Sequence, residues 1–239
     1  MDGLLFGMSD VLHDDTVWKR WLWRQIRQLG VLQDYDSLWN DWTDRHVPGV
    51  YAGRTSFVEA LGRFLRALGL ASAAVRELQS AATSQRRRSE DHLRPLAGVC
   101  LTLQLLHRSG VRLAVVADSD RTGEMLRNRL AKLGGNGVFQ TVISSRDVGC
   151  AKPDPTGYEA ALDSLGVKPA AAGFVGQSRA ELQGASDCGL RTIGFNCAPA
   201  AAADVYLQGF GDLLEEIGPS FHARASAPSW PAPHRKTVA

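Results

Sequence analysis

Residues 111–116, VRLAVV, form a short apolar run rich in β-branched side chains, and the polar sequence Asp118-Ser119-Asp120 follows it closely. A run of this length bounded by polar residues indicates a buried β-strand. Helical patterns precede it at residues 96–108 and follow it at residues 123–133. We therefore predict a strand enclosed by two helices, and this unit recurs along the chain.

The same alternation extends in both directions from this strand. Further strands are predicted at residues 3–6, 139–143, 172–175 and 191–195, and further helices at residues 156–165, 179–188 and 210–217. Strands separated by helices of this length imply a parallel sheet covered on both faces. The sequence thus predicts an α/β fold with a doubly wound, Rossmann-like parallel sheet.

The segment after the first strand departs from this alternation. Its apolar residues recur at helical spacing, as in Trp18, Leu22 and Ile26, and it contains no good strand candidate. We interpret it as an all-helical cap inserted into the α/β core. The predicted domains are the core at 1–14 and 91–217, the cap at 15–90, and a disordered tail at 218–239 rich in Pro, Ser and Ala.

Composition narrows the class of protein. The chain has 239 residues, 44% of them hydrophobic, and a formal net charge of +2, which excludes disorder as the main state. The near balance of charge gives no indication of a nucleic-acid partner, and no apolar run is long enough to cross a membrane. The four cysteines have no metal-ligand spacing. The N-terminal residues lack the features of a secretory signal, so we expect a cytoplasmic protein.

Candidate site residues follow from the predicted sheet, because ligands of such sheets bind at the carboxyl ends of the strands. The strand ends and the loops that follow them are residues 7–10, 117–120, 149–153 and 176–181. Whatever this protein binds, those four segments are predicted to form the site.

The same segments carry a resemblance to a known family. Residues 151–155, AKPDP, are followed by Tyr158, and Val175-Gly176 leads through Ser178 to Ala185, Gly189 and residues 192–194. Leu12 and Asp14 match the segment that leads into a cap. In this order and spacing the motifs resemble the haloacid dehalogenase superfamily, phosphatase-like branch with a helical (C1-type) cap. The resemblance covers about residues 3–217.

The resemblance implies a definite chemistry. In that family an aspartate at the end of the first strand attacks phosphorus and forms an aspartyl-phosphate, and a second aspartate acts as acid and base. Magnesium held by the nucleophile and by an acid of the last motif neutralises the phosphoryl charge. A Ser or Thr on the second strand and a lysine hold the phosphate.

This chain departs from that pattern at most of those positions. Gly7 stands at the nucleophile position, Ser9 at the acid/base position, Ala117 at the hydroxyl position and Gln177 at the first metal-ligating acid. Lys152 is retained, Asp118 stands where an Asn is common, and Glu181 takes the place of the second acid of the last motif. Glycine cannot attack, and an amide is a poor ligand for magnesium. We expect no intact magnesium site, no other metal and no cofactor.

Three functional interpretations follow. The leading one is a protein that has lost the hydrolase chemistry and keeps the cleft between cap and core for a small molecule or a protein partner. The second is a metal-independent enzyme of a specialised biosynthetic pathway, with Asp118, Lys152 and Glu181 as acid–base groups. The weakest is residual hydrolysis through Asp10. Lys152 is also open to a purely structural interpretation, as an ion pair with Asp118 or Glu181.

The tryptophans are concentrated in the predicted cap. Trp18, Trp21, Trp39 and Trp42 lie on apolar stripes and are predicted to pack in its core. Trp23 lies on the face of Lys19, Arg20 and Arg27, and we predict that it is exposed as a contact surface, stacking with arginine being the alternative. Homodimerisation through the cap is also left open.

Overall fold

The computed structural model of the chain describes residues 1–91, 93–131, 137–197 and 202–217. The predicted disordered tail, residues 218–239, lies outside the described residues. Over the part that is described, no helix is both long and apolar enough to cross a membrane.

The core of the protein is a six-stranded, fully parallel sheet with the order β3-β2-β1-β4-β5-β6. Its strands are β1 (Gly3–Phe6), β2 (Arg112–Ala117), β3 (Thr141–Ser144), β4 (Ala172–Gly176), β5 (Arg191–Gly194) and β6 (Val205–Tyr206). From β1 the chain continues to β2 and β3 on one side of β1, and it then crosses to β4 on the other side of β1. The strand order therefore reverses at β1. The predicted doubly wound parallel sheet is confirmed.

The centre of the sheet is buried on both faces, because β1 and β4 are buried at every residue and β2 is buried at all but Arg112. Leu4 and Leu5, successive residues of β1, point to opposite faces and belong to two separate apolar cores. The helices that cover the sheet are α6 (Val99–Arg108), α7 (Gly123–Leu130), α9 (Thr156–Leu165), α10 (Arg179–Asp187) and α11 (Leu213–Glu216), with the single turn α8 (Ser145–Val148) after β3. Helices α6, α7 and α11 share the core of Leu4, and α9 and α10 share that of Leu5.

The segment between β1 and α6 is helical, as its pattern indicates. Its helices are α1 (Thr16–Gln28), α2 (Tyr35–Asp41), a π-helical turn (Trp42–His46), α3 (Pro48–Tyr51), α4 (Phe57–Ala67) and α5 (Ser72–Asp91). They form a third apolar core of their own, in which Trp18, Trp39 and Trp42 are buried and Trp21 is partly buried. We call this helical segment the cap. A capping box between Ser56 and Glu59 fixes the start of α4.

Some elements differ from their predicted extents for identifiable reasons. The predicted helix at 96–108 begins only at Val99, because Gly98 has φ +82 and separates it from the preceding turn. The strand β6 and the short helices α3 and α8 were not predicted, since elements of two to four residues carry too little periodicity to be recognised.

Candidate functional site

The reversal of strand order places the predicted strand ends side by side. Phe6 in β1 is paired with Val115 in β2 and with Val175 in β4, so the residues that follow these strands share one edge of the sheet. Above that edge lies a partly open cavity of about 380 Å³ that is lined by residues of the core and of the cap. The core residues that line it include Ser9, Ala117, Asp118, Lys152, Gln177 and Glu181.

Gly7 lies directly under a carboxylate that comes from a different element. A Cβ atom placed on Gly7 would lie 3.1 Å from Glu181 Oε2 and 3.3 Å from Val11 Cγ2. The backbone N–H of Gly7 donates to Val175 O at 2.9 Å, which holds it at the end of the sheet. Glu181 therefore occupies the space that a side chain on Gly7 would need.

The position of Glu181 follows from the start of α10. Ser178 caps this helix by accepting a hydrogen bond from Glu181 N–H, and its hydroxyl donates to Glu181 Oε1 at 2.8 Å. The Ser-x-x-Glu spacing at residues 178–181 is the sequence signal for such a start. Burial raises the pKa of Glu181 above its ordinary value, although the Lys152 ammonium acts in the opposite direction.

The nearly buried ammonium group of Lys152 contacts residues that lie at the end of β2, just after it, and in the first turn of α10. Its Nζ donates to Val116 O at 2.9 Å and lies 3.3 Å from Asp118 Oδ2 and 3.8 Å from Glu181 Oε2. Its backbone N–H donates to the other oxygen of Asp118 at 3.0 Å. The structure thus brings Asp118, Lys152 and Glu181 together in the arrangement that the structural ion-pair interpretation describes.

The remaining polar groups at this edge do not form a cation site. Gln177 donates its amide N–H to Ser9 O at 3.1 Å, and its side chain supplies only a neutral amide where magnesium prefers a carboxylate. Ala117 and Gly7 offer no side-chain ligand. Within the described ranges, no three His, Cys, Asp or Glu side chains are grouped so as to hold a metal. These residues do not fit magnesium.

Two predicted lining residues, Gly7 and Asp10, do not line the cavity, and that part of the prediction is wrong. Gly7 is buried beneath Glu181. Asp10 has φ +58, and its Oδ1 accepts from Asp15 N–H at 2.8 Å while its Oδ2 lies 3.5 Å from Lys19 Nζ. The Asp10 carboxylate thus connects the loop after β1 to the start of the cap.

The cap supplies an aromatic wall to the cavity. Phe57 lies edge-on to both Trp18 and Trp42, with ring centroids 5.8 Å apart in each pair. All three rings line the cavity, together with Tyr51. Burial raises the pKa of Tyr51, so this hydroxyl stays protonated at neutral pH.

Two cations of the cap reach the same cavity, and sequence reasoning missed both. Arg86 forms a two-pronged ion pair with Asp120 at 2.6 and 2.9 Å, and its guanidinium stacks on Phe57. A run of three arginines, as at residues 86–88, is typical of a solvated helix face, and only the phase of the helix turns the first of them inward. Lys19 lies 3.3 Å from Asp15, and the (i, i+4) spacing of the two was an available signal.

The predicted exposure of Trp23 is wrong. Trp23 is half-buried against the cap core, its indole N–H donates to Gln33 O at 3.3 Å, and its ring lies edge-on to Tyr35. The guanidinium of Arg27 lies 5.1 Å from the ring centroid, which is the stacking alternative. These contacts account for Trp23 as a packing residue.

Comparison with known proteins places this site in context. The family model described as "Haloacid dehalogenase-like hydrolase" matches residues 61–195. Phosphoglycolate phosphatase of Pectobacterium atrosepticum is 34% identical over 126 residues, which are 50% of this chain and 53% of that protein. Validoxylamine A 7'-phosphate phosphatase of Streptomyces hygroscopicus subsp. limoneus is 29% identical over 226 residues, or 90% of this chain and 98% of that protein.

The fold has close counterparts among solved structures. A dehalogenase crystal structure superposes with a TM-score of 0.67 at 22% identity, over 90% of this chain and 96% of that one. At such identity the likeness concerns the fold alone. The chain spans about half the length of the first phosphatase named above, so the activities of the relatives do not transfer by similarity alone.

Proposed function

The chain belongs to the haloacid dehalogenase-like hydrolase family, and we propose that it has lost the aspartate- and magnesium-dependent hydrolysis of phosphate esters. In this proposal the cleft between cap and core serves to bind a ligand. A partly open cavity of about 380 Å³ is the size of a small-molecule site, which favours a small molecule over a protein segment as its occupant.

The observation that carries the proposal is the carboxylate of Glu181 beside Gly7. Covalent phosphoryl transfer needs an attacking side chain at the end of β1, and Gly7 has none. Glu181 Oε2 lies in that space, but its side chain is held from α10 by Ser178 and faces Lys152. The lysine that would hold a phosphate is engaged in the same ion pairs.

The donor set supports the loss of magnesium as well. Magnesium prefers carboxylate oxygens in octahedral geometry, whereas Gln177 offers only a neutral amide, whose N–H donates to Ser9 O, and Gly7 offers no side-chain ligand. Residual hydrolysis through Asp10 is poorly supported, because its two oxygens engage Asp15 and Lys19.

A second candidate function is metal-independent acid–base catalysis by Asp118, Lys152 and Glu181. The observation in its favour is the raised pKa of Glu181 beside the Lys152 ammonium, since a pKa above the ordinary value favours the use of a carboxyl group as a general acid. A screen of non-phosphorylated biosynthetic intermediates tests it, with Asp118→Asn as the control. A turnover that this variant leaves unchanged would end this version of the mechanism.

Assays of hydrolysis test the main proposal. We expect the purified chain to show no magnesium-dependent turnover of p-nitrophenyl phosphate or phosphoglycolate, and no shift of its melting temperature with magnesium. The matched control is Lys152→Ala, prepared identically, in which any contaminating phosphatase would persist. Turnover that requires magnesium and disappears in Lys152→Ala would overturn the proposal.

A further inference from the structure

We propose that the cleft accepts a small ligand with a protonated amine on an apolar or aromatic body, and that it excludes phosphate esters. This inference rests on the proposed function and gives the cleft a ligand class. Four features of the lining carry it: paired cations, an excess of carboxylates, an aromatic wall and a buried imidazole.

The first feature is the pairing of Lys19, Lys152 and Arg86, which are three of the four cations that line the cavity, Arg129 being the fourth. Lys152 contacts Asp118 and Glu181, as described above. Lys19 lies 3.3 Å from Asp15 and 3.5 Å from Asp10, and these carboxylates outweigh burial and raise the pKa of Lys19. A phosphate dianion entering the cleft would have to displace carboxylates from these ammonium groups.

Arg86 is held in the same way. Both of its terminal nitrogens donate to the carboxylate of Asp120, the geometry in which arginine otherwise grips a phosphate. Burial raises the pKa of Asp120, but the hydrogen bonds and charge of Arg86 outweigh it and lower the pKa, so Asp120 stays ionised. Both terminal nitrogens of Arg86 are thus engaged by Asp120.

The second feature is the sign of the lining charge. Five carboxylates and four cations line the cavity, a formal charge of −1 with all of them ionised and of zero with Glu181 protonated. Asp14 contributes to this excess. Its Oδ1 accepts from the backbone N–H and the hydroxyl of Thr16, and it forms no ion pair with a described residue. The described lining residues therefore carry no net positive charge that would attract an anion.

The third feature is the wall of Trp18, Trp42 and Phe57. The three rings line the cavity and offer apolar area to a ligand body, and the Arg86 guanidinium that already lies over Phe57 shows that this wall accepts a cation. An aromatic or alicyclic amine satisfies both properties at once, whereas a phosphate satisfies neither.

The fourth feature is independent of charge. His13 lines the cavity and is 2% exposed, and its Nδ1 has no hydrogen-bond partner among the residues described. Burial lowers the pKa of His13, so the imidazole is neutral at pH 7 and one of its nitrogens is an acceptor. A buried polar atom without a partner is costly, and an ammonium or hydroxyl donor on a ligand would satisfy it.

Three probes of one carbon skeleton test the proposal: benzylamine, benzyl alcohol and benzyl phosphate. They are titrated into the full chain without magnesium, with tryptophan fluorescence and saturation-transfer NMR as readouts. We expect benzylamine to bind at least about ten-fold more tightly than benzyl phosphate, with benzyl alcohol between them. Equal or tighter binding of benzyl phosphate overturns the proposal, and so does a lack of binding by all three probes.

A variant of the lining residue Asp14 tests whether its carboxylate causes the preference for benzylamine over benzyl phosphate. Asp14→Asn keeps the hydrogen bonds to Thr16 and removes a negative charge. It should therefore weaken the affinity for benzylamine and leave the affinity for benzyl alcohol unchanged. Asp36→Asn, on the exposed surface of the cap, is the matched control. An unchanged affinity for benzylamine in Asp14→Asn contradicts the proposal. Hydrolysis of benzyl phosphate with magnesium would refute the proposed function instead, whereas tight binding without hydrolysis refutes only this inference.

Discussion

Replacing Gly7 by aspartate restores the carboxylate that the family resemblance places at the end of β1, and we expect the change to destabilise the protein. The added Cβ would meet Glu181 Oε2 at 3.1 Å and Val11 Cγ2 at 3.3 Å. Gly7 is outside the left-handed region, so the backbone itself accepts a side chain. The expected penalty therefore comes from crowding and charge.

The two contributions differ in size. Crowding by the methyl group of Gly7→Ala should cost about 1 kcal/mol, because the end of the Glu181 side chain can shift by a few tenths of an ångström. Two ionised carboxylates about 4 Å apart repel each other by about 4 kcal/mol at an effective dielectric constant of about 20. Uptake of a proton by the pair limits this repulsion, so Gly7→Asp should cost roughly 2–5 kcal/mol at pH 7.

Urea denaturation at pH 7 and at pH 5 measures these free energies of unfolding. Gly7→Ala separates crowding from charge, and Gly7→Asp combined with Glu181→Gln removes one of the two charges. The double variant should recover about 2–3 kcal/mol relative to Gly7→Asp alone. The loss in Gly7→Asp should shrink at pH 5, where the pair binds a proton more readily.

A Gly7→Asp variant as stable as the parent chain at both pH values would refute this reasoning, because Glu181 would then not occupy the space. A double variant that recovers no stability would show that the carboxylates do not interact. Magnesium-dependent phosphatase activity in Gly7→Asp would show that the remaining site still accommodates the metal.

Three further predictions concern the ionic groups. Asp120→Asn should weaken the clamp that Arg86 forms between cap and core by about 1–2 kcal/mol and speed hydrogen exchange in the cap helices. Lys152→Met leaves Asp118 and Glu181 without their ammonium and should cost about 2–4 kcal/mol in urea denaturation. Glu181→Gln should gain stability relative to the parent chain as pH rises, because the raised pKa of Glu181 makes its ionisation in the folded state unfavourable.

Matched controls separate these effects from loss of charge alone. Asp163 is exposed on α9, so Asp163→Asn should leave both the unfolding free energy and exchange in the cap unchanged. Exchange in the cap that Asp120→Asn leaves as slow as in the parent would contradict the clamp. A stability difference between Glu181→Gln and the parent that is constant with pH would contradict the raised pKa.

The sheet and its ligand-binding edge could be predicted from the sequence because they depend on local periodicity. Alternating apolar runs and helices identify the parallel sheet, and the residues after each run are then placed on one edge by topology. The pairing of Phe6 with Val115 and Val175 in the structure is of this kind. The prediction that the strand-end loops contribute to one site needed no contact information.

The details of the site could not be predicted from the sequence, because they depend on contacts between residues that are far apart along the chain. Arg86 and Asp120 are separated by 34 residues, and nothing in an arginine run states which member faces the core. Glu181 beside Gly7 depends on the rotation of α10 about its axis, although the Ser-x-x-Glu pattern at 178–181 did indicate where that helix begins. The turn at Asp10 is fixed by its positive φ and its bond to Asp15, which composition does not reveal.

We propose that the space beside Gly7 holds the Glu181 carboxylate from α10 and no metal ion. A high-resolution crystal structure of the protein grown in millimolar magnesium tests it most directly. We expect Glu181 Oε2 to lie in van der Waals contact with Gly7, and the Lys152 ammonium to lie between the carboxylates of Glu181 and Asp118. Density for a divalent cation coordinated by Asp10 or Glu181 at the end of β1 would contradict it.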